Sequence, residues 1–371
     1  MATEPINKSR FPELDFIRAI AVIAVIVIHV TSITLTKTDP DQFTRLSSVL
    51  INQLSRFCVP AFLFVSGILA YHSFQRRSTY SGLIVSKLKA LIVPYIVWTT
   101  IGLLFFLSFS INYKGIIMIF LTGSGPFYQL YYIPLLFQLF VILPLIMRIE
   151  LNKQMVVLIF LMTCFLLAGY QVLLLSESSH ASGVIGYLNT LLQSAFFSWF
   201  IYFYLGLFAA KYYANFLEFV KSKSFVFFVT LYVICTILLI ADAYYSTIIH
   251  KQSDLMGYFR VTVLFYSLAT ILVLIKLGMI IQSRLLENIY RNSFGIYLIH
   301  VAVLKLIYLV SSHMFANPAA IVASIVLTML ISYGMIEVIQ RSPLSWLLLG
   351  QKSINARRRT NIESTDHKLV R

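Results

Sequence analysis

The stretch LDFIRAIAVIAVIVIHV, residues 14–30, consists almost entirely of aliphatic side chains. A run of this length matches a bilayer core of about 30 Å and therefore indicates a membrane-spanning helix. Three ionisable side chains interrupt it: Asp15, Arg18 and His29. Such groups are costly inside a span and usually face a protein interior or a water-filled cavity. One face of this first helix is therefore predicted to line a polar slot.

The same composition extends over the whole chain of 371 residues, of which 59% are hydrophobic and 12% are charged. Soluble domains have about 25% charged residues. The apolar residues fall into ten blocks, each long enough to cross a bilayer: 14–35, 50–72, 90–110, 127–148, 155–175, 190–211, 224–245, 260–281, 294–312 and 318–340. The predicted fold is an all-α, polytopic integral membrane protein with about ten transmembrane helices. Residues 1–350 are predicted to form the membrane domain, and residues 351–371 a basic, disordered cytoplasmic tail.

The basic residues predict an orientation for these helices. If the ten blocks cross in turn, 21 of the 29 lysines and arginines lie on the side of the two termini, and six lie on the other side. The positive-inside rule then places both termini in the cytoplasm. The net charge of +15 follows from this asymmetry and from the basic tail, which favours anionic lipid headgroups. The net charge therefore predicts membrane lipid as a partner. It does not need a nucleic-acid partner to explain it.

Helical geometry places two of the three ionisable groups on one face. The eleven residue-to-residue steps from Arg18 to His29 correspond to three turns plus about 20°, and to about 16 Å along the axis. Asp15 precedes Arg18 by three residues, a spacing at which the two side chains meet. An ion pair at the membrane boundary is an alternative interpretation of Asp15 and Arg18. A structural histidine satisfied by a neighbouring helix is an alternative for His29.

The Arg-x10-His spacing after an acidic residue resembles the first transmembrane helix of the membrane-bound acyltransferase-3 family. Three further segments resemble that family in order: FCVPAFLFVSGIL (57–69), KLKALIVPYIVW (87–98) and SFGIYLIH (293–300). The resemblance covers about residues 10–350 and is strongest to the branch that contains the staphylococcal intercellular-adhesion polysaccharide O-acyl modifier and uncharacterised bacillus-type relatives. It implies transfer of an acyl group from acyl-CoA to a hydroxyl or amine, often of a cell-surface glycan.

The resemblance also implies roles for individual residues. His29 is the candidate general base, since histidine has an unperturbed pKa near 6.5. Arg18 is a permanent cation suited to the anionic end of acyl-CoA. The full set of expected site residues is His29 and Arg18 as catalytic residues, Arg76, Arg77, Lys87 and Lys89 as donor-binding residues, and Asp15, Ser66, Tyr297 and His300 as slot-lining residues. We expect no metal and no permanently bound cofactor, with acyl-CoA as co-substrate.

Several of these residues have structural interpretations that the sequence leaves open. The four basic residues are also what positive-inside placement requires. Ser66 precedes Gly67, which predicts close helix packing at this point. His300 is equally a satisfied structural histidine. The aromatic segment GPFYQLYYIP (125–134) suits either stacking of a sugar or an interfacial aromatic belt.

The sequence thus predicts a multi-pass acyltransferase of the bacterial plasma membrane. It would move an acyl group of the acetyl or succinyl class from acyl-CoA to a hydroxyl of a cell-surface polysaccharide or a lipid-linked sugar precursor. The alternative is a polysaccharide exporter or a small-carboxylate transporter without catalysis. Transporters commonly contain internal repeats with paired broken helices, and the sequence shows no such repeat. Metalloprotease and P-loop motifs are also absent from the sequence.

Overall fold

The computed structural model describes residues 11–76, 80–106, 113–175, 182–246, 257–351 and 353. Within these ranges the chain forms helices and no strand. The α-helices are α1 (Pro12–Lys37), α2 (Gln42–Leu54), α3 (Cys58–Arg76), α4 (Tyr80–Lys87), α5 (Val93–Phe106), α6 (Tyr113–Thr122), α7 (Tyr132–Arg148), α8 (Lys153–Leu175), α9 (Ser182–Ser194), α10 (Phe200–Lys211), α11 (Tyr213–Ser222), α12 (Phe225–Tyr244), α13 (Val261–Gly278), α14 (Arg284–Val310), α15 (Pro318–Arg341) and α16 (Ser345–Leu349). A π-helical segment, Leu88–Ile92, joins α4 to α5, and 3₁₀ turns occupy Tyr128–Tyr131, Phe196–Ser198 and Ser312–Phe315.

Nine helical stretches in the described ranges are long and apolar enough to cross a membrane. They are α1, α2 with α3, α4 with α5, the turn at Tyr128 with α7, α8, α12, α13, α14 and α15. The predicted all-α, polytopic membrane fold is confirmed. The second stretch begins at Gln42, earlier than the predicted start at residue 50. Its first helix carries polar residues on the buried side and exposed apolar residues such as Phe43 and Leu46 on the other, which a search for continuous apolar runs passes over.

The chain forms two compact units. The first contains Met1–His72, Ile149–Gly186 and Phe197–Ser293, and the second contains Ser73–Arg148, Tyr187–Phe196 and Phe294–Arg371. Helices α1, α2, α8, α12 and α13 therefore belong to the first unit, and α5, α7 and α15 to the second.

The predicted span 190–211 is interrupted. It consists of the end of α9, the turn Phe196–Ser198 and α10. Gln138 of α7 binds both sides of this interruption: its Nε2 donates to the Ser194 carbonyl at 2.8 Å, and its Oε1 accepts from the Phe196 N–H at 3.2 Å. Backbone groups released from a helix in a hydrocarbon environment need such partners. A side chain from another helix thus makes the break tolerable.

The second half of the interrupted segment, α10, ends beside the start of α8. In the first unit, the carbonyl of Leu151 accepts from Lys211 Nζ at 3.0 Å, so the start of α8 and the end of α10 lie at one end. Gln171, about 27 Å further along α8, accepts from the Val261 N–H at 3.4 Å at the opposite end. The chain between α8 and Lys211 must return over this distance. Nine stretches of the described residues have the length and apolarity of a span, so the tenth crossing expected at 190–211 stays a prediction.

Close packing of α3 on α10 confirms the predicted role of Gly67. A Cβ atom added to Gly67 would lie 2.2 Å from the Phe203 carbonyl oxygen and 3.0 Å from Gly206 Cα. One added to Gly206 would lie 2.1 Å from the Phe64 carbonyl oxygen. The two backbones are therefore in direct contact, as at other small-residue crossings of membrane helices.

The aromatic segment at 125–134 belongs mainly to the core of the second unit. Phe127, Leu130 and Tyr131 are buried. The Phe127 ring packs against Gly102 and lies 5.6 Å, between centroids, from Phe106. Tyr128 remains exposed. Neither an interfacial belt nor a platform for sugars therefore describes the segment as a whole.

Candidate functional site

Helix α1 is fixed at its beginning by two elements of the first unit. Gly278, the last residue of α13, lies so close that an added Cβ would be 2.7 Å from Glu13 Cα. The buried Glu13 carboxylate accepts a hydrogen bond from the Tyr213 hydroxyl of α11. Burial and the neighbouring Glu13 raise the pKa of Tyr213, so this phenol stays protonated and keeps donating. We call this end of the first unit, marked by Glu13, Tyr213 and Gly278, its proximal end.

Arg18 lies one to two turns further along α1 and has contacts on two helices. Its Nη1 is 3.8 Å from Asp15 Oδ1, and its Nη2 donates to Ser293 Oγ of α14 at 3.1 Å. The guanidinium carbon lies 5.8 Å from the centroid of the Tyr290 ring. The Arg18 side chain is 29% exposed, so it is oriented yet accessible. The predicted pair with Asp15 is present, but its long distance indicates a weak interaction.

Ser293 and Tyr290 are contacts that the sequence analysis missed. Ser293 opens the segment SFGIYLIH, where only Tyr297 and His300 were expected to line the slot. The hydroxyl of Ser293 is buried and lies 275 residues from Arg18 in the chain. Only the tertiary structure reveals the contact.

His29 is half-buried on α1, which continues without interruption to Lys37. The predicted separation of about 16 Å from Arg18 therefore holds. The peptide carbonyl that precedes His29, that of Ile28, accepts a hydrogen bond from Asn52 Nδ2 of α2 at 3.1 Å. Asn52 also reaches Thr31 Oγ1 and Ser32 Oγ, each at 3.0 Å. The turn of α1 that carries His29 is thus tied to α2.

A polar network surrounds this end of the first unit, which we call its distal end. Arg260, which precedes α13, is 1% exposed and pairs with Asp242 at 3.1 Å. Its Nη2 also donates to Gln53 Oε1. Arg56 donates to Asn52 Oδ1 at 2.9 Å and lies 4.8 Å above the Tyr258 ring. The sequence analysis used these arginines only to count charges, whereas a buried charge needs such partners.

Comparison with known proteins shows the family to which this chain belongs. A family model described as an acyltransferase domain matches residues 11–337. The chain belongs to the acyltransferase-3 family. The resemblance found in the sequence is therefore confirmed, and the protein is a multi-pass membrane protein of an acyltransferase family.

Curated relatives carry a different kind of name. The chain is 25% identical, over 311 residues, to proteins of Staphylococcus aureus strains Mu50 and MSSA476 that are each named probable poly-beta-1,6-N-acetyl-D-glucosamine export protein. The match covers 80% of this chain and 83% of each relative. The MRSA252 protein of the same name is 25% identical over 310 residues. No solved structure matches the chain.

Two predicted slot residues of this acyltransferase-3 member, Tyr297 and His300, lie together in the second unit. The Tyr297 hydroxyl donates to the Gln129 carbonyl, and its ring meets that of Tyr132 edge-on at 5.7 Å. His300 is 0% exposed, and its Nδ1 lies 3.0 Å and 2.8 Å from the carbonyl oxygens of Ile296 and Tyr297. Nδ1 must therefore carry the proton and donate to the backbone. These contacts suit the structural interpretation of His300, and its slot-lining role stays a prediction.

Ser66 is half-buried on α3, immediately before the contact of Gly67 with α10. This position agrees with a role in helix packing. The slot-lining role of Ser66 stays a prediction.

Three of the four predicted donor-binding residues fall within the described ranges, and Arg77 lies outside them. Arg76 and Lys89 are exposed, and Lys87 Nζ lies 4.6 Å from the centroid of the Phe140 ring. Lys87 directly precedes the π-helical segment Leu88–Ile92, and Lys89 lies within it.

The π-helical segment has an identifiable cause. Pro94 has no N–H for the Ala90 carbonyl four residues earlier, and its ring would crowd that oxygen in a regular helix. Gly350, with φ of 67°, fits against the same oxygen so closely that an added Cβ would lie 2.1 Å from it. Single π turns inside α-helices are frequent at functional sites. The donor-binding role of the neighbouring lysines remains a prediction.

Proposed function

We propose that this protein transfers an acyl group of the acetyl or succinyl class from cytoplasmic acyl-CoA to a hydroxyl of a cell-surface polysaccharide or its lipid-linked precursor. It acts in the bacterial plasma membrane, with both termini in the cytoplasm. The observation that supports this most is on α1: an unbroken helix of an acyltransferase-3 member carries Arg18 near the proximal end and His29 near the distal end, on one face. The asymmetry of basic residues supports a cytoplasmic proximal end.

The donor fits the separation of these two side chains. Acyl-CoA has a phosphate-rich head and a long pantetheine arm. A cation about 16 Å from the base suits such a molecule better than a compact donor. Asp15 and Ser293 orient the Arg18 guanidinium from two sides, so that its planar fork can meet phosphate oxygens. Arg76, Arg77, Lys87 and Lys89 are proposed to supply further positive charge for the same head group.

The transfer step needs one proton acceptor. A neutral His29 imidazole takes the proton of the acceptor hydroxyl as its oxygen attacks the thioester carbonyl. The new ester C–O bond forms, the C–S bond breaks, and CoA leaves as a thiolate that regains a proton from the imidazolium. Histidine suits both halves of this exchange because its unperturbed pKa lies near neutrality. No metal or resident cofactor is needed for this balance.

Export without chemistry is the second candidate, and the name of the staphylococcal relatives favours it. A glycan exporter needs a polar passage but no base. The two functions therefore differ in what happens when the imidazole is removed.

The test uses purified protein in lipid nanodiscs, with acetyl-CoA or succinyl-CoA as donor and an oligosaccharide of β-1,6-linked N-acetylglucosamine as acceptor. His29→Ala should lower kcat by about 10²–10⁴-fold, as expected for loss of a general base, and leave CoA binding unchanged. Arg18→Ala should chiefly weaken CoA binding, and Arg18→Lys should restore little because the fork is lost.

Matched controls are His313→Ala, an exposed histidine of a 3₁₀ turn, and Arg341→Ala, an exposed arginine at the end of α15. Both should transfer acyl groups like the wild type. Full activity of His29→Ala would overturn the catalytic proposal. Absence of thioester consumption by the wild type, together with glycan export by His29→Ala in cells, would establish the exporter instead.

A further inference from the structure

Asn52 binds the peptide bond that carries His29. Its Nδ2 lies 3.1 Å from the carbonyl oxygen of Ile28, and that carbonyl belongs to the peptide unit whose nitrogen is the His29 backbone nitrogen. Asn52 is 3% exposed, although it lies on α2, whose opposite face is apolar and exposed. Among the contacts described for this turn, Asn52 supplies the hydrogen bonds that come from a different helix.

The orientation of the Asn52 amide is determined on both sides. Its nitrogen faces three acceptors on α1: the Ile28 carbonyl, Thr31 Oγ1 and Ser32 Oγ. Its Oδ1 accepts from Arg56 Nη2 at 2.9 Å. An amide has two N–H donors on one side and an acceptor on the other. Only asparagine or glutamine could serve both sets of partners, and glutamine is one methylene longer.

The carbonyl of Ile28 is also bound from within α1. Ser32 Oγ donates to it at 2.6 Å, and Thr31 Oγ1 lies 3.2 Å from it. Back-bonding of serine and threonine to such carbonyls slightly bends helices. A carbonyl that accepts several donors tilts away from the helix axis. The direction of the Ile28–His29 peptide, and with it the direction of the His29 Cα–Cβ bond, therefore depends on these contacts.

We propose that Asn52 is a positioning residue for His29: it holds the backbone from which the imidazole projects in the orientation that proton transfer requires. This inference rests on the proposed function, in which His29 is the base. Asn52 itself need touch neither donor nor acceptor. A misplacement of about 1 Å in a reacting group can cost about 10²-fold in rate.

The test compares two substitutions at residue 52 with a matched control. Asn52→Ala removes all of the amide contacts, whereas Asn52→Asp keeps an acceptor for Arg56 and removes both N–H donors. Both should lower kcat by about 10–100-fold with the KM for acyl-CoA unchanged. The control is Ser48→Ala, one turn earlier on the same buried face of α2, whose hydroxyl has no hydrogen-bond partner among the residues that the structure describes. It should transfer at the wild-type rate.

A double-mutant cycle then separates positioning from general stability. If Asn52 acts through His29, the double variant Asn52→Asp with His29→Ala should be no slower than His29→Ala alone, because the group to be positioned is already gone. Single-turnover transfer of a radiolabelled acyl group measures the residual rates, and thermal unfolding checks each protein. If Asn52→Ala does not fold, the Asn52→Asp arm alone decides.

The outcomes distinguish this inference from the function on which it rests. Losses that multiply in the double variant, or an Asn52→Asp variant with wild-type kcat, would overturn the positioning role and leave His29 as the base. Full activity of His29→Ala alone would overturn both.

Discussion

Substitution of Gly67 by alanine tests the packing that holds the first unit together. The new methyl carbon would start 2.2 Å from the Phe203 carbonyl oxygen and 3.0 Å from Gly206 Cα. Real Cβ atoms essentially never approach another atom closer than 3.0 Å, so α3 and α10 must part by about 0.8 Å at this point. The obstacle is backbone on both helices, and a rotamer change therefore cannot relieve it.

The magnitude follows from two opposing effects. Overpacking of this kind costs about 1–3 kcal/mol, and the backbone obstacle favours the upper part of that range. Alanine returns about 1 kcal/mol because it is the better helix former. We therefore expect Gly67→Ala to lower the free energy of unfolding by about 2 kcal/mol. Equilibrium unfolding in mixed micelles with increasing denaturing detergent measures this.

Gly169 of α8 provides the control, since no atom in the described part of the chain lies within 4 Å of a Cβ added there. Gly169→Ala should be neutral or more stable by up to about 1 kcal/mol. Gly206→Ala should resemble Gly67→Ala, and the double variant should lose less than the sum because both residues form one contact. Equal stability of Gly67→Ala and Gly169→Ala would refute the reasoning.

Three further predictions follow from other regions. Reporter fusions after Ser179 and after Ser222 should give opposite signals if the interrupted segment between α8 and α11 crosses the membrane as predicted; equal signals would contradict ten crossings. Ser293→Ala should raise the KM for acyl-CoA by a few-fold and leave kcat nearly unchanged, because it removes a partner of Arg18; a fall in kcat alone would assign Ser293 elsewhere. Hydrogen bonds from Thr44 and Phe43 lower the pKa of Asp41. The stabilisation of α2 by the Asp41 carboxylate is therefore complete at neutral pH and is lost as the pH falls through that lowered pKa. Amide hydrogen exchange at Phe43 and Thr44 should accelerate in acid, and Asp41→Asn should remove this pH dependence.

The spans and the face of α1 could be predicted because both depend on local periodicity. Length and hydropathy identify a membrane helix without knowledge of its neighbours, and 100° per residue relates Arg18 to His29. The interruption at 195–199 could not be predicted, because the sequence AFFSW contains no proline or glycine. Its stability comes from Gln138, which is 56 residues from Ser194 in sequence.

The partners of the site residues were missed for the same reason. Arg18 and Ser293 are far apart in the chain, and only the arrangement of helices joins them. Asn52 belongs to a stripe with Thr44 and Ser48, spaced by four residues. This spacing shows that the three share a face of a helix. It does not show that the face turns towards α1, away from the side on which Phe43 and Leu46 are exposed.

The ionisable groups of α1 and the packing around this helix are connected. Each such group inside a span is unfavourable unless protein partners replace water. Ser293 and Asp15 serve Arg18, and Asn52 serves the backbone at His29. These partners come from α14 and α2 as well as from α1 itself, so contacts with other helices orient both candidate site residues of α1. A rigid helix keeps Arg18 and His29 about 16 Å apart along its axis. In the proposed function, one backbone would therefore set the separation of donor head and reacting carbonyl, and the neighbouring helices would have only to fix the orientation at each end.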